Sequence, residues 1–140
     1  MDIITHAIVG GVIGAQFGHP IVGVVVGALP DVTLGIKRRQ FPTTLYRLSH
    51  SFITIFFTLA LLVYASSELW WTVGLAWISH IVLDIPTHGT RWSPRLLYPL
   101  NNSPSMVFAK EWEWFNSSWW IGLKLGIVIC ALSLLIGYLL

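Results

Sequence analysis

Charge is what this chain has least of. Only 10% of its 140 residues are Asp, Glu, Lys or Arg, where a soluble domain of this size carries about 25%. The net charge of +2 is too small to point to nucleic acid, and none is expected as a partner. Cysteine is nearly absent: the single thiol, Cys130, lies in an apolar C-terminal run. It can form no intramolecular disulfide and says nothing about redox compartment. No G-x-x-x-x-G-K-[ST], G-x-G-x-x-G or G-x-S-x-G pattern occurs, so phosphate-loop, dinucleotide and serine-elbow chemistries have no footing. Ser49-His50-Ser51 is too local for a triad, because adjacent residues do not face each other on a helix. A secretory signal is not expected either. Asp2 stands where a basic n-region belongs, and His6 interrupts the apolar stretch.

What remains is apolar. The chain is 55% hydrophobic with a mean hydropathy of +0.73. This predicts an all-α integral membrane protein: one domain over residues 1–140, a bundle of about five hydrophobic segments with a long cytoplasmic loop. The segments run from Ile3 to Phe17, Ile21 to about Ile36, Ser49 to Tyr64, Leu69 to Ile85 and Trp119 to Leu140. Only the last reaches the ~20 residues a simple span requires. The others must thin the bilayer, stop short of one face or bury polar ends in protein. Gly10, Gly11, Gly14, Gly18, Gly23 and Gly27 let two backbones approach closely and predict a tight antiparallel hairpin, although membrane helices are glycine-rich in any case.

Basic residues set the orientation. Lys37, Arg38, Arg39 and Arg47 lie between segments two and three; Arg91, Arg95 and Lys110 lie between segments four and five. The connections Gly18-His19-Pro20 and Ala65-Ser66-Ser67-Glu68 contain neither Lys nor Arg. The positive-inside rule then places both basic loops in the cytoplasm, with the N-terminus inside and the C-terminus outside. Trp70, Trp71, Trp119 and Trp120 flank spans as interfacial aromatics do. The expected location is the inner (cytoplasmic) membrane, crossed several times.

Six potential metal ligands fall on the cytoplasmic side of that topology: His6, Asp31, His50, His80, Asp84 and His88. Such groups are expensive in an apolar chain, and each needs a reason. The densest run is H-x-x-x-D-x-x-x-H from His80 to His88. Four-residue spacing puts His80 and Asp84 one turn apart on one helix face. An imidazole and a carboxylate so placed can close on Zn²⁺ or Mn²⁺. Pro86 ends or bends the helix, so His88 need not continue that face. His19 sits alone on the opposite side, with no partner expected.

Each residue also has a plainer role. A histidine near a membrane helix end is ordinarily interfacial or bonded to a neighbour, as His50 would be to Ser49 or Ser51. Asp31 follows Pro30 and could cap the short basic segment. Asp2 is best read as the N-cap of the first segment. Arg47, three residues before His50, suits either an anionic substrate or a positive-inside anchor, and so do Arg91 and Arg95. The Pro86–Ser118 stretch, with Trp92, Tyr98, Trp112 and Trp114, is too long for a plain connector and is a candidate lid or interfacial element. Lys110-Glu111-Trp112-Glu113-Trp114 could form a short amphipathic helix there, and Glu111 or Glu113 could complete a metal shell.

These residues resemble a known family. Thr5-His6, Pro30-Asp31, Arg47-Leu48-Ser49-His50-Ser51 and His80-x-x-x-Asp84-Ile-Pro-Thr-His88 are similar to the motifs of small membrane-bound metal-dependent hydrolases, including the LexA-regulated type. Trp92-Ser93-Pro94 and Leu97-Tyr98-Pro99-Leu100 resemble that family too. The likeness covers essentially the whole chain, and its ligand order is also similar to the zinc phospholipase C and single-strand nuclease superfamily. The resemblance implies that His50 and His80 hold one metal, that Asp84 bridges two, and that His6 holds the second. It makes Asp31 a ligand or the base acting on the attacking water, and His88 the match to the first ligand of a third ion. Tyr46 stands where many relatives have histidine, and no histidine follows His88, so two zinc ions are expected rather than three, with Mn²⁺ as an alternative.

The expected activity is therefore metal-dependent hydrolysis of a phosphoester, a phospholipid or related amphiphile, at the cytoplasmic membrane face. Asp31 and Arg47 are the expected catalytic residues, with Arg47, Arg91 and Arg95 binding substrate. Two other classes use the same ligands. A metal-ion transporter needs polar groups continuing to the far side, and only Gln16 and His19 are there. A metal-stapled structural protein would keep its metals fully ligated, whereas an enzyme leaves a coordination position open. Nothing in the sequence sets the oligomeric state.

Overall fold

A computed structural model describes residues 1–32, 43–105 and 113–139, and all regular structure among them is helical. Helix α1 (Ile3–Gln16) starts at Asp2, whose carboxylate accepts from the Thr5 amide at 2.8 Å, the N-cap expected of it. The chain reverses through Gly18, at φ +76°, and α2 (Pro20–Val32) opens on Pro20. A proline in the first turn removes an amide that would have no intrahelical partner.

The α1–α2 hairpin is the tightest packing in the molecule. A Cβ on Gly23 would lie 2.1 Å from the Gly10 carbonyl oxygen, and one on Gly27 would lie 2.4 Å from that of His6. Backbone meets backbone, as the glycine pattern predicts. This register sets His6, near the start of α1, beside the last turn of α2 and hence beside Asp31.

Helix α3 (Thr44–Ser49) is short and capped by the Thr43 hydroxyl. Helix α4 (Phe52–Tyr64) follows, with the Ser51 hydroxyl accepting from the Ile53 amide at 3.2 Å. The apolar segment expected to run unbroken from Ser49 is therefore interrupted, and His50 is the C-terminal cap of α3 rather than the first residue of a span. The cause is local: Ser49 bonds back to the Tyr46 carbonyl and Ser51 caps the next helix, as serines at helix boundaries do. Helix α5 (Trp70–Asp84) packs against α1, α2 and α4, and α6 (Ser117–Leu139) against α1 and α5. With 23 residues and high hydropathy, α6 is the one described helix long and apolar enough to cross a membrane.

Residues 86–105 fold over the α3–α4 junction. Phe52 donates its amide to the Leu96 carbonyl at 2.9 Å, and the Ser51 hydroxyl reaches the Tyr98 carbonyl at 2.7 Å. Ser93 and Ser105 then cross-link the loop through backbone carbonyls. Lys37, Arg38, Arg39, Lys110, Glu111 and Trp112 lie outside the described residues, as does the end of the second segment up to Ile36. Glu113 and Trp114 are exposed and lie in an irregular turn.

Candidate metal centre

Several polar residues among the described ones are buried, and many large apolar ones are exposed. His6, His50, His80, Asp84 and Thr87 are buried. Ile4, Ile8, Ile21, Phe56, Phe57 and Leu61 are exposed. The start of α1, the end of α2, the α3–α4 junction and the end of α5 meet at one end of the molecule. Each brings part of a single cluster.

Around Asp84 Oδ2 stand His50 Nε2 at 3.1 Å and His80 Nε2 at 3.2 Å, and the two imidazole nitrogens are themselves 3.1 Å apart. Asp31 Oδ1 lies 3.8 Å from each of these nitrogens. The other ring nitrogen of each histidine is tied to a backbone carbonyl. His80 Nδ1 is 2.7 Å from the Gly27 oxygen, and His50 Nδ1 is 2.9 Å from the Tyr46 oxygen. A carbonyl only accepts, so in the neutral ring Nδ1 carries the hydrogen and Nε2 presents a lone pair.

With both rings neutral, three acceptor atoms face one another, and Asp84 Oδ2 has no hydrogen-bond partner despite these short distances. Facing acceptors repel one another unless a proton or a metal cation lies among them. Metal–ligand bonds of ~2.0–2.2 Å in a tetrahedron imply ligand–ligand edges of about 3.3–3.6 Å. The observed separations bracket that range, so Asp31, His50, His80 and Asp84 can hold a metal ion. Backbone carbonyls fixing the remote nitrogens are the support that metal-binding histidines ordinarily have.

The other oxygens of the same two carboxylates face a second group. His6 Nε2 is 3.0 Å from Asp84 Oδ1 and 3.8 Å from Asp31 Oδ2. His88 Nδ1 is 3.3 Å from Asp84 Oδ1. The Met1 amino group pairs with Asp84 Oδ1 and lies 3.3 Å from His88 Nδ1. All six expected ligands are thus brought together, with each carboxylate set between two groups of nitrogens. His6 stacks on His80 with centroids 3.7 Å apart, and Tyr46 stacks on His50 at 3.8 Å. Tyr46 supports the His50 ring and donates its hydroxyl to the Trp92 carbonyl at 2.7 Å.

Two participants escape sequence reading. The Met1 amino group is a backbone atom, with no side-chain signature. Trp77 holds the α3–α4 junction by donating Nε1–H to the Ser49 carbonyl at 2.7 Å; its position on α5 one turn before His80 was the available signal. His19, expected to stand alone, has a neighbour: Glu68 Oε1 lies 3.9 Å away. The hairpin turn and the α4–α5 connection share the far end of the bundle, which brings the two together. Of the three arginines, Arg91 is exposed on the loop, while Arg47 and Arg95 are partly covered. Comparison with family models, curated proteins and solved structures returns no match.

Proposed function

We propose that the chain is a membrane-embedded, metal-dependent hydrolase of phosphoesters, with α1, α2, α4, α5 and α6 as its five segments and the site at the cytoplasmic face. The single observation that carries the reading is the convergence of His50 Nε2, His80 Nε2 and Asp84 Oδ2 within 3.2 Å of one another, with both Nδ1 atoms tied to backbone carbonyls. The exposed apolar residues support membrane burial of the short helices. Their 13–15 residues span only about 20–23 Å at 1.5 Å each, so their polar ends must meet inside protein. Of the described Lys and Arg residues, Arg47, Arg91 and Arg95 accompany the site and Lys124 lies within α6, whereas Glu68 and His19 mark the other end, which supports the orientation.

In this reading His50, His80 and Asp84 would hold one zinc ion and His6, with Asp84, the other, which leaves Asp31 at 3.8 Å from the histidines as the base. Mn²⁺ is accommodated by the same donors. A divalent metal supplies an ionised water near neutral pH and polarises a phosphoryl oxygen. Asp31 stands further from the histidines than Asp84 does, and only its carboxylate is partly exposed. It is therefore the group placed to take the proton of the attacking water. The water oxygen bonds to phosphorus, the ester P–O bond breaks, and the alcohol leaves with a proton. A membrane amphiphile is the natural substrate for a site at headgroup depth.

A metal-stapled structural role has one observation in its favour: with Asp31 as a fourth ligand the first site can close, as structural zinc sites are closed. Turnover separates the two readings. Purified protein loaded with zinc or manganese should release phosphate or alcohol from a panel of lipid and soluble phosphoesters, and Asp31→Asn should abolish release while retaining metal. Full metal binding with no turnover across the panel would favour the staple.

A further inference from the structure

A second polar feature lies beside the metal cluster and is not used by it. Arg47 sits in the last turn of α3, three residues before His50. Arg95 comes from the loop that closes over the same junction. Tyr46 and Trp92 make an edge-to-face contact at 5.2 Å, and Leu96 accepts the Phe52 amide at 2.9 Å, so the loop is pinned on both sides of Arg95. Arg95 donates Nη2–H to the Thr90 carbonyl at 3.3 Å. Its Nε and Nη1, and the Nε of Arg47, are buried with no hydrogen-bond partner. No carboxylate among the described residues pairs with either guanidinium.

This is not how a positive-inside anchor sits. An anchor extends its charge into water or headgroups and keeps its donors solvated. Here two like charges turn donors inward. Burial, and after it the charge of Arg47, pulls the Arg95 guanidinium below its ordinary value. Two cations placed at one junction with unused planar donors match an anion with several oxygens.

Resting on the hydrolase reading for its place in catalysis, but not for its geometry, we infer that Arg47 and Arg95 form a binding subsite for a phosphate monoester. A monoester offers three terminal oxygens and up to two charges to two forks. A phosphodiester offers two oxygens and one charge, and leaves donors unpaired. The substrate class is thus an amphiphile ending in a phosphate, and phosphatidylcholine-type diesters are disfavoured. Arg91, exposed on the loop, is left outside the subsite.

The test is binding by the full chain, purified in detergent and measured with and without bound zinc. The probes are inorganic phosphate and nanodiscs containing phosphatidic acid or phosphatidylcholine alone. In wild type, phosphatidic acid should bind, and Arg47→Met/Arg95→Met should weaken it roughly ten- to hundredfold, as loss of charge-assisted hydrogen bonds does. The loss should persist in zinc-free protein, with metal content and melting temperature of the variant held. Arg47→Lys/Arg95→Lys should recover only part of it, because charge returns without the fork. Parallel loss of inorganic phosphate binding identifies the phosphate group itself as the ligand; loss confined to nanodiscs identifies the lipid headgroup. Unchanged phosphatidic acid binding in the Met variant, or an equal loss for phosphatidylcholine, overturns the subsite. Absence of turnover with arginine-dependent binding intact would count against the hydrolase alone.

Discussion

Asp84→Asn separates a metal centre from a hydrogen-bonded cluster, because only in the first does its effect depend on zinc. Asp84 uses both oxygens: Oδ2 faces His50 and His80 at 3.1 and 3.2 Å, and Oδ1 faces His6 at 3.0 Å and His88 at 3.3 Å. The amide keeps one oxygen and replaces the other with NH₂. If no metal is held, the NH₂ can donate to an imidazole lone pair while the Met1 amino group loses its carboxylate partner, and any change in melting temperature should be the same with and without added zinc. If a cation is held, one group of ligands loses its anionic oxygen and gains hydrogens aimed at the metal. Removing one partner from a buried set of charges costs about 3–5 kcal/mol. At 1.4 kcal/mol per decade, metal affinity then falls by roughly two to three and a half decades. The assay is competition with a chromophoric zinc chelator in detergent, alongside thermal melts of zinc-loaded and zinc-free protein. We expect the variant to lose most zinc after dialysis and to lose the zinc-dependent rise in melting temperature. Wild-type zinc content in the variant, with its zinc-dependent rise in melting temperature intact, would refute the metal reading.

Other outcomes follow from particular contacts. His80→Ala should remove most bound zinc, whereas His19→Ala, at the far end beside Glu68, should leave it unchanged; metal analysis after dialysis checks both. Zinc retention should fall on acidification, because protons compete for imidazole and carboxylate lone pairs, and a pH titration of bound zinc reads it. Gly23→Ala places a Cβ 2.1 Å from the Gly10 oxygen and should cost about 1–3 kcal/mol by overpacking. It should also loosen zinc by parting His6 from Asp31, while Gly126→Ala, whose nearest neighbours are 3.4 Å away, should do neither; melting curves and zinc titrations compare them. In a Cys130→Ser background, cysteine at Arg91 should be labelled only from the cytoplasm and cysteine at Glu68 only from outside.

The convergence of the polar residues was legible because an apolar chain advertises them. Where charge is scarce, hydropathy and Lys/Arg placement alone sort His6, Asp31, His50, His80, Asp84 and His88 to one end, and antiparallel helices then bring them into contact. The hairpin was legible for a similar reason: glycine leaves no side chain, so its spacing directly marks where two backbones can touch. What escaped was decided by orientation. Hydropathy cannot see that Ser49 and Ser51 bond back to local backbone and split a segment, which moves His50 from a span into a junction. Nor can a position relative to the membrane give the tautomer of a histidine. That depends on the Gly27 and Tyr46 carbonyls, which are ordinary backbone in the sequence and become the groups that turn both Nε2 lone pairs inward. The same holds for arginine. Arg47, Arg91 and Arg95 have equal standing as loop cations until the 92–98 loop is pinned to Tyr46, Ser51 and Phe52. Folding then leaves Arg91 exposed and covers Arg47 and Arg95. A cation that gives up solvation without gaining a carboxylate raises the energy of the free protein, and an anion entering the site removes that cost. The unpaired donors of the arginines and the unpaired acceptors of the metal cluster are complementary in sign. A phosphate presented to the first, and cations held by the second, satisfy both at one end of the same short helices.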